Sequence, residues 1–292
     1  MRDGRAPGGK PRPYTGGVRL LALSVLVAGA AVAREPDVPA PKGLFRRLPP
    51  AEPGEWLWVF PEEGQTFAEY RESLPVRATP DRPAIYLAPF LARPPADRDL
   101  LAGLAAVLGA SFGREVRVLP PAPLPAATYV RARRQVSALA LAPHLARTLP
   151  ADALFVLAVT DRDIFVGDLD YAFGWGSMKL RVGVLSTARL GAEDDPALRR
   201  RRSLLLALHE AHHLLSLPHC TYYACLMNGA LTLEEADRRP GILCPVCRAK
   251  VSWNLGSDPT GAVAEAFAQA GLAADARAAR AVIDATGFEP SG

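Results

Sequence analysis

Apolar residues along this 292-residue chain fall into short unbroken runs and helix-spaced stripes, separated by breaks rich in proline and glycine. Residues 84–88 (AIYLA) and 116–119 predict strands. Between them, 97–112 predicts a helix, with Leu100, Leu101, Leu104, Val107 and Leu108 on one face and Gly113 as its stop. Residues 129–148 have helical spacing, with a kink or break expected at Pro143. Residues 154–159 (LFVLAV) are apolar throughout, the pattern of a strand buried on both faces. Two more strands are predicted at 170–175 and 181–186. A long helix is predicted at 196–216, with Asp195 as its N-cap and Pro196 in its first turn. The alanine-rich stretch 260–286 predicts a helix interrupted near Gly271. This order of elements implies an α/β fold built on a mixed sheet. Upstream of it, 36–53 reads as a proline-rich linker and 56–70 as an N-terminal extension able to pack on the domain.

The first 33 residues do not belong to that pattern. Residues 1–19 are polar and basic. Residues 20–33 are apolar except for Ser24 and Gly29, and they close on Ala31-Val32-Ala33, a small-x-small pattern that a signal peptidase reads. The run is shorter than the roughly 20 residues a membrane span needs. A cleaved signal peptide is therefore expected, with export to the periplasm or beyond; the alternative is an uncleaved membrane anchor formed by 20–33.

Composition supports a globular body, with 49% hydrophobic and 22% charged residues. The formal charge of +4 resides entirely in residues 1–33, where five basic residues face one aspartate, so the body is neutral. A neutral body without an aromatic-basic cluster argues against a nucleic-acid partner. The four arginines at 199–202 read as a solvated face at the start of a helix.

Four of the five histidines lie in one stretch, His209-Glu210-Ala211-His212-His213-Leu214-Leu215-Ser216-Leu217-Pro218-His219. On a helix, His209 and His213 stand one turn apart on a shared face and can hold one zinc ion. Pro218 imposes an extended path just before His219, which suits a chain turning back to supply the third ligand. Three protein ligands leave one position for water, whose pKa falls towards neutrality on zinc. Glu210 is placed to take its proton for attack on a peptide carbonyl, then to pass it to the leaving amine. His212 lies about 100° around the helix from His213 and is expected to be exposed or to support a ligand from behind.

All four cysteines follow this helix. Cys244-Pro245-Val246-Cys247 has knuckle spacing, and Cys220 with Cys225 supplies a looser pair. Four thiolates suit one closed tetrahedral zinc of structural type. Two disulfides are the alternative, since the leader implies an oxidising compartment.

These residues resemble a known family. His209 to His219 looks like the metzincin zinc motif, and Cys220-x4-Cys225-Leu226-Met227 followed by Cys244-x2-Cys247 resembles the archaemetzincin branch. The likeness runs from about Ile85 to Cys247. It includes Arg134-Gln135 in a helix, Thr160-Asp161, Phe173-Gly174-Trp175-Gly176 and the stretch from Ser186 to Leu190. The resemblance implies a zinc metallopeptidase with two zinc ions per chain. His209, His213 and His219 would hold the catalytic ion, with Glu210 as general base. Cys220, Cys225, Cys244 and Cys247 would hold the structural ion, and Met227 would be the methionine of the turn beneath the metal. It further implies a metzincin-like mixed twisted sheet with an active-site helix, and a small zinc-stabilised C-terminal subdomain. Residues 170–176 would form the edge strand on the upper rim of the cleft. The implied division is a leader at 1–33, a linker at 34–55, a catalytic subdomain at 56–219 and a C-terminal subdomain at 220–292.

The chain departs from the family pattern in three places. Ser216 stands where glycine is usual, at a helix end that needs a left-handed residue. Gly176 replaces a small alanine, and the leader is itself unusual. The expected function is hydrolysis of peptide or protein substrates. The alternative is a zinc-stabilised peptide-binding module of the same fold, catalytically weak or inactive; a site without turnover has little reason to keep Glu210.

Overall fold

The apolar run at 154–159 forms the centre of the molecule. The computed structural model describes residues 35–91, 94–192 and 194–286, omitting the side chains of 94–97, so the leader lies outside the described residues. Strand β5 (Ala153–Thr160) is buried along its whole length. It pairs in parallel with β1 (Ala84–Phe90) on one side and β8 (Val182–Ser186) on the other. Strand β2 (Val116–Val118) extends the sheet in parallel beyond β1, and β7 (Gly174–Ser177) closes the other edge antiparallel to β8. The order is β2-β1-β5-β8-β7, a mixed sheet as the element order predicts.

Alternation along β5 feeds two apolar layers. Phe155, Leu157 and Val159 pack with helices α3 (Pro94–Phe112) and α5 (Pro196–Leu214). Val156 and Ala158 face the opposite layer, which is covered by α4 (Ala138–Arg147). The first layer also takes Tyr70 from α2 (Phe67–Glu72), which follows the short, unburied helix α1 (Trp56–Val59). It also takes side chains from α7 (Pro245–Leu255), α8 (Thr260–Gln269) and α9 (Ala273–Thr286). The chain on both sides of position 219 therefore shares one core. Gly271 separates α8 from α9 with φ of 78°, at the expected interruption. Among the described residues, no helix is long and apolar enough to cross a membrane.

Four local expectations are corrected. Only the second half of 129–148 is helical. Tyr129–Val130 (β3) and Gln135–Ser137 (β4) form a hairpin, and β4 also pairs with Ile164–Phe165 (β6) in a small second sheet. Arg134 and Gln135 thus lie in a turn and a strand, with Arg134 at φ 57°. Val136 is spent on strand pairing, and Ser137 then caps α4 by accepting from Ala140 N. Pro143 does not break α4: the helix runs on to Arg147, with Pro143 on its exposed side, where water can satisfy the freed carbonyl. The arginines at 199–202 are mostly paired rather than solvated. Arg199 donates to Thr187 O and Gly191 O, Arg201 forks onto Asp275, and Arg202 forks onto Asp237 in helix α6 (Leu233–Asp237). Only Arg200 is exposed, because the start of α5 lies between the 187–191 loop and the C-terminal helices. The strand predicted at 170–175 begins late: the ladder starts at Gly174.

Helix α5 begins as expected. Asp195 accepts from Leu198 N, and Pro196 occupies the first turn. Its end decides the site. Ser216 has φ of 68°, and two bonds characteristic of a left-handed helix stop form there, Leu217 N to His212 O and Ser216 N to His213 O. A serine costs about 1 kcal/mol in this conformation relative to glycine. Its hydroxyl offsets that cost by accepting a hydrogen bond from Val76 N at 3.1 Å, a bond of comparable worth, about 1 kcal/mol. Next to it, Leu215 O accepts from the fully buried Tyr70 hydroxyl at 2.7 Å, which in turn accepts from Asn254 Nδ2 at 2.6 Å. Tyr70→Phe removes the donor to Leu215 O and leaves Asn254 Nδ2 with only its bond to Val76 O. It should lower stability by about 1–3 kcal/mol, read as a shift in the denaturant midpoint of the zinc-loaded protein at unchanged slope.

Candidate metal centre

The turn at Ser216 carries the chain back over the last turn of α5, and Pro218 delivers His219 beside His209 and His213. A ligand nitrogen from each of the three lies within 4.8 Å of the other two. Each ring is fixed from its Nδ1 side. His209 Nδ1 donates to Leu226 O at 2.8 Å, His213 Nδ1 to Leu217 O at 2.6 Å, and His219 Nδ1 contacts Glu62 Oε1 at 2.8 Å. A carbonyl oxygen only accepts, so the proton of His209 and of His213 sits on Nδ1, and each Nε2 presents a lone pair. Those two Nε2 atoms face each other at 3.0 Å. Two lone pairs at that distance repel unless a cation lies between them. Burial keeps both rings neutral, lowering His209 well below the ordinary imidazole range and His213 to about 3. Three imidazoles brought together, each held from its Nδ1 side, are a donor set that fits zinc.

Glu210 follows the first ligand and is 6% exposed. Burial raises its carboxyl pKa to about 8, against the pull of the Arg239 guanidinium. Its carboxylate lies against the edge strand: a Cβ on Gly174 would fall 2.3 Å from Glu210 Cδ and 2.4 Å from Oε1. Only glycine at 174 leaves space for that side chain. Arg239 Nη1 lies 3.4 Å from His209 Nδ1, and Arg239 Nε is buried without a hydrogen-bond partner.

Directly after His219, the chain enters a second cluster. The Sγ atoms of Cys220, Cys225, Cys244 and Cys247 all lie within 4.8 Å of one another, and all four residues are buried and free of disulfides. Cys225 Sγ accepts from Met227 N and Cys244 N. Burial pushes the Cys225 thiol well up, and hydrogen bonding to Cys220 does the same for Cys247. Four sulfurs this close cannot all ionise without a cation, which is what a tetrahedral thiolate site supplies. Asn228 staples the loop, accepting from Cys225 N and donating to Cys220 O and Tyr223 O. The two clusters share backbone: Cys220 N donates to Met227 O, and Leu226, just before the fully buried Met227, holds His209.

Comparison with known proteins agrees with this geometry. A sequence model described as Peptidase family M54 matches residues 148–252. The archaemetzincin of Archaeoglobus fulgidus is 32% identical over 150 residues, covering 51% of this chain and 89% of that protein. The chain belongs to the archaemetzincin family. It is a zinc metallopeptidase, and its substrates are peptides or proteins. Archaemetzincin-2 of Homo sapiens is 28% identical over 257 residues, covering 73% of this chain and 71% of that protein. The crystal structure of archaemetzincin from Methanopyrus kandleri superposes with a TM-score of 0.54 at 27% identity, over 61% of this chain and 97% of that one. That of the Archaeoglobus fulgidus protein, complexed with malonate, gives 0.50 at 30% identity over 57% and 99%.

For this archaemetzincin, the structure brings together all three histidines and, separately, all four cysteines, and sets the Glu210 carboxylate against Gly174. It leaves His212 out. His212 was expected to be exposed or to support a ligand; instead it is fully buried on the far face of α5. There it stacks at 4.9 Å on Phe112 of α3, its Nδ1 donates to Leu208 O, and its Nε2 lies 3.4 Å from Ser111 Oγ. One residue of helical rotation turns it from the metal face into the core. Sequence reasoning missed three residues at the centre: Glu62, Arg239 and Asn228. Glu62 and Arg239 are common polar residues outside any motif, whereas Asn228 directly follows Met227 and could have been found from that motif. The contact at Gly174 yields a direct test. Gly174→Ala should displace the Glu210 carboxylate and lower kcat by about 10²-fold, with zinc content unchanged by metal analysis. An unchanged kcat would mean that this contact does not set the position of Glu210.

Proposed function

We propose that His209, His213 and His219 hold the catalytic zinc through their Nε2 atoms, and that Glu210 is the general base of peptide hydrolysis. The observation that carries this reading is the commitment of the Nδ1 side of each ring to an oxygen, which leaves three Nε2 atoms to converge, with Glu210 next to the first of them along the helix. Zinc, when bound, acts as a Lewis acid that polarises a carbonyl and acidifies water. The proton traffic belongs to Glu210. Its carboxylate accepts a proton from the attacking water and returns it to the leaving amine. The substrate runs along β7, whose outer edge has no strand partner within the five-stranded sheet, so an extended peptide can add to it by main-chain hydrogen bonds.

Cys220, Cys225, Cys244 and Cys247 hold a second, structural zinc, with Met227 packed into the core between the two sites. This reading rests on four free, buried thiols in reach of one ion. The leader supports action outside the cytoplasm, after cleavage or on a membrane anchor.

Metal analysis of the purified protein should give two zinc ions per chain and four thiols that titrate only after zinc is removed. One zinc and no thiols would replace the structural zinc with disulfides. Glu210→Ala should keep both zinc ions and lower cleavage of an unstructured peptide library by about 10²–10⁴-fold. Equal cleavage by the variant and the wild type would overturn the assignment of Glu210, and absence of cleavage by both would favour a binding module.

A further inference from the structure

The chain upstream of the sheet lies against the third histidine. Residues 36–53, expected as a linker, are fastened to the loop that follows it: Leu48 N donates to Tyr222 O, Ala224 N donates to Arg46 O, and Arg47 bridges Tyr223 in antiparallel fashion. Further along, Thr221 Oγ1 donates to Glu63 O. The contact becomes closest at α1. The Trp56 ring meets the His219 ring edge-on at 4.7 Å between centroids. Trp56 N donates to Glu235 Oε1, and Arg238 pairs with Glu55. Gly229 leaves the space this indole occupies, since a Cβ there would fall 2.3 Å from Trp56 Cδ1.

Glu62 is the point of this contact. One oxygen, Oε1, receives both Trp56 Nε1–H at 2.5 Å and the Nδ1 side of His219 at 2.8 Å. The other two histidines are fixed by backbone carbonyls within residues 217–226, whereas His219 has this side chain from 157 positions upstream. His219 also follows a turn built on a serine, so its ring direction is the least determined by its own helix.

We propose that Glu62 is a positioning residue for the catalytic zinc, holding His219 by a carboxylate–histidine contact braced by Trp56. The inference rests on the assignment of His219 as a zinc ligand. Glu62 accepts the Nδ1 proton of His219, which fixes the tautomer and aims Nε2 at the site. A carboxylate behind a ligand also raises the basicity of the ring, and loss of such a partner typically weakens metal binding by about 10–100-fold. The upstream segment is thereby part of the metal centre, although it lies outside residues 148–252 matched by the family model.

The test uses the full chain loaded with zinc, competed against a chromogenic chelator, with the cysteine site as an internal reference. Cobalt substitution separates the two sites, since thiolate-to-metal charge-transfer bands report only the cysteines. Glu62→Ala should weaken the histidine site by about 10–100-fold and leave the cysteine site unchanged. Glu62→Gln keeps an Oε1 acceptor for both His219 and Trp56, and should recover most of the lost affinity. The proposal is overturned if Glu62→Ala binds at the histidine site as tightly as the wild type, if Glu62→Gln is as weak as Glu62→Ala, or if both sites weaken together. A wild type that binds metal only at the cysteines would instead overturn the zinc assignment itself, and this inference with it.

Discussion

The left-handed turn at Ser216 determines whether three imidazoles can meet, because helix α5 supplies only two of them. A helix places residues four apart on one face but cannot present a third ligand on that face without moving it another turn along the axis. The third must come from chain that has reversed direction. Ser216 accomplishes this with φ of 68°, and the two backbone bonds it closes end the helix at once. The same reversal brings Leu217 O onto His213 Nδ1. One turn therefore both delivers the third ligand and fixes the second.

Serine at this position is tolerated because its side chain is used. The hydroxyl accepts from Val76 N, and its neighbour Leu215 is held by Tyr70. These partners come from α2 and the segment that joins it to β1. The conformational cost of serine and the worth of one hydrogen bond are similar in size, so the turn needs no glycine provided that the upstream chain stays docked. The departure from the family pattern and the docking of this segment are thus one structural feature.

The metal centre and the cysteine cluster are also linked by sequence adjacency. His219 and Cys220 are neighbours, and the Cys220 amide is bonded to the carbonyl of Met227, beside the Leu226 carbonyl that orients His209. A rigid cysteine loop therefore fixes two of the three histidines, one through the covalent chain and one through a hydrogen bond. Asn228 makes that loop rigid by bonding three backbone groups. Arg239 approaches from the same side, its buried guanidinium only partly satisfied, and places positive charge near His209 and Glu210.

The sequence by itself determined what depends on local geometry. The His209–His213 spacing needs only a helix, the unbroken run at 154–159 needs only cover on two faces, and the cysteine knuckle needs only a tight turn. Each is encoded within a few residues: the helix and the strand formed as read, and the four sulfurs converge. The tertiary structure alone decided which groups stand behind those residues. Glu62 meets His219 across 157 positions, Tyr70 meets Leu215 across 145, and His212 is buried rather than exposed because α3 covers that face of α5. The strand pairing of Val136 likewise overrode a helical pattern at 129–137. Periodicity fixes the direction of a side chain relative to its own element. What it meets there depends on the path of the rest of the chain, and no spacing within the element records that path.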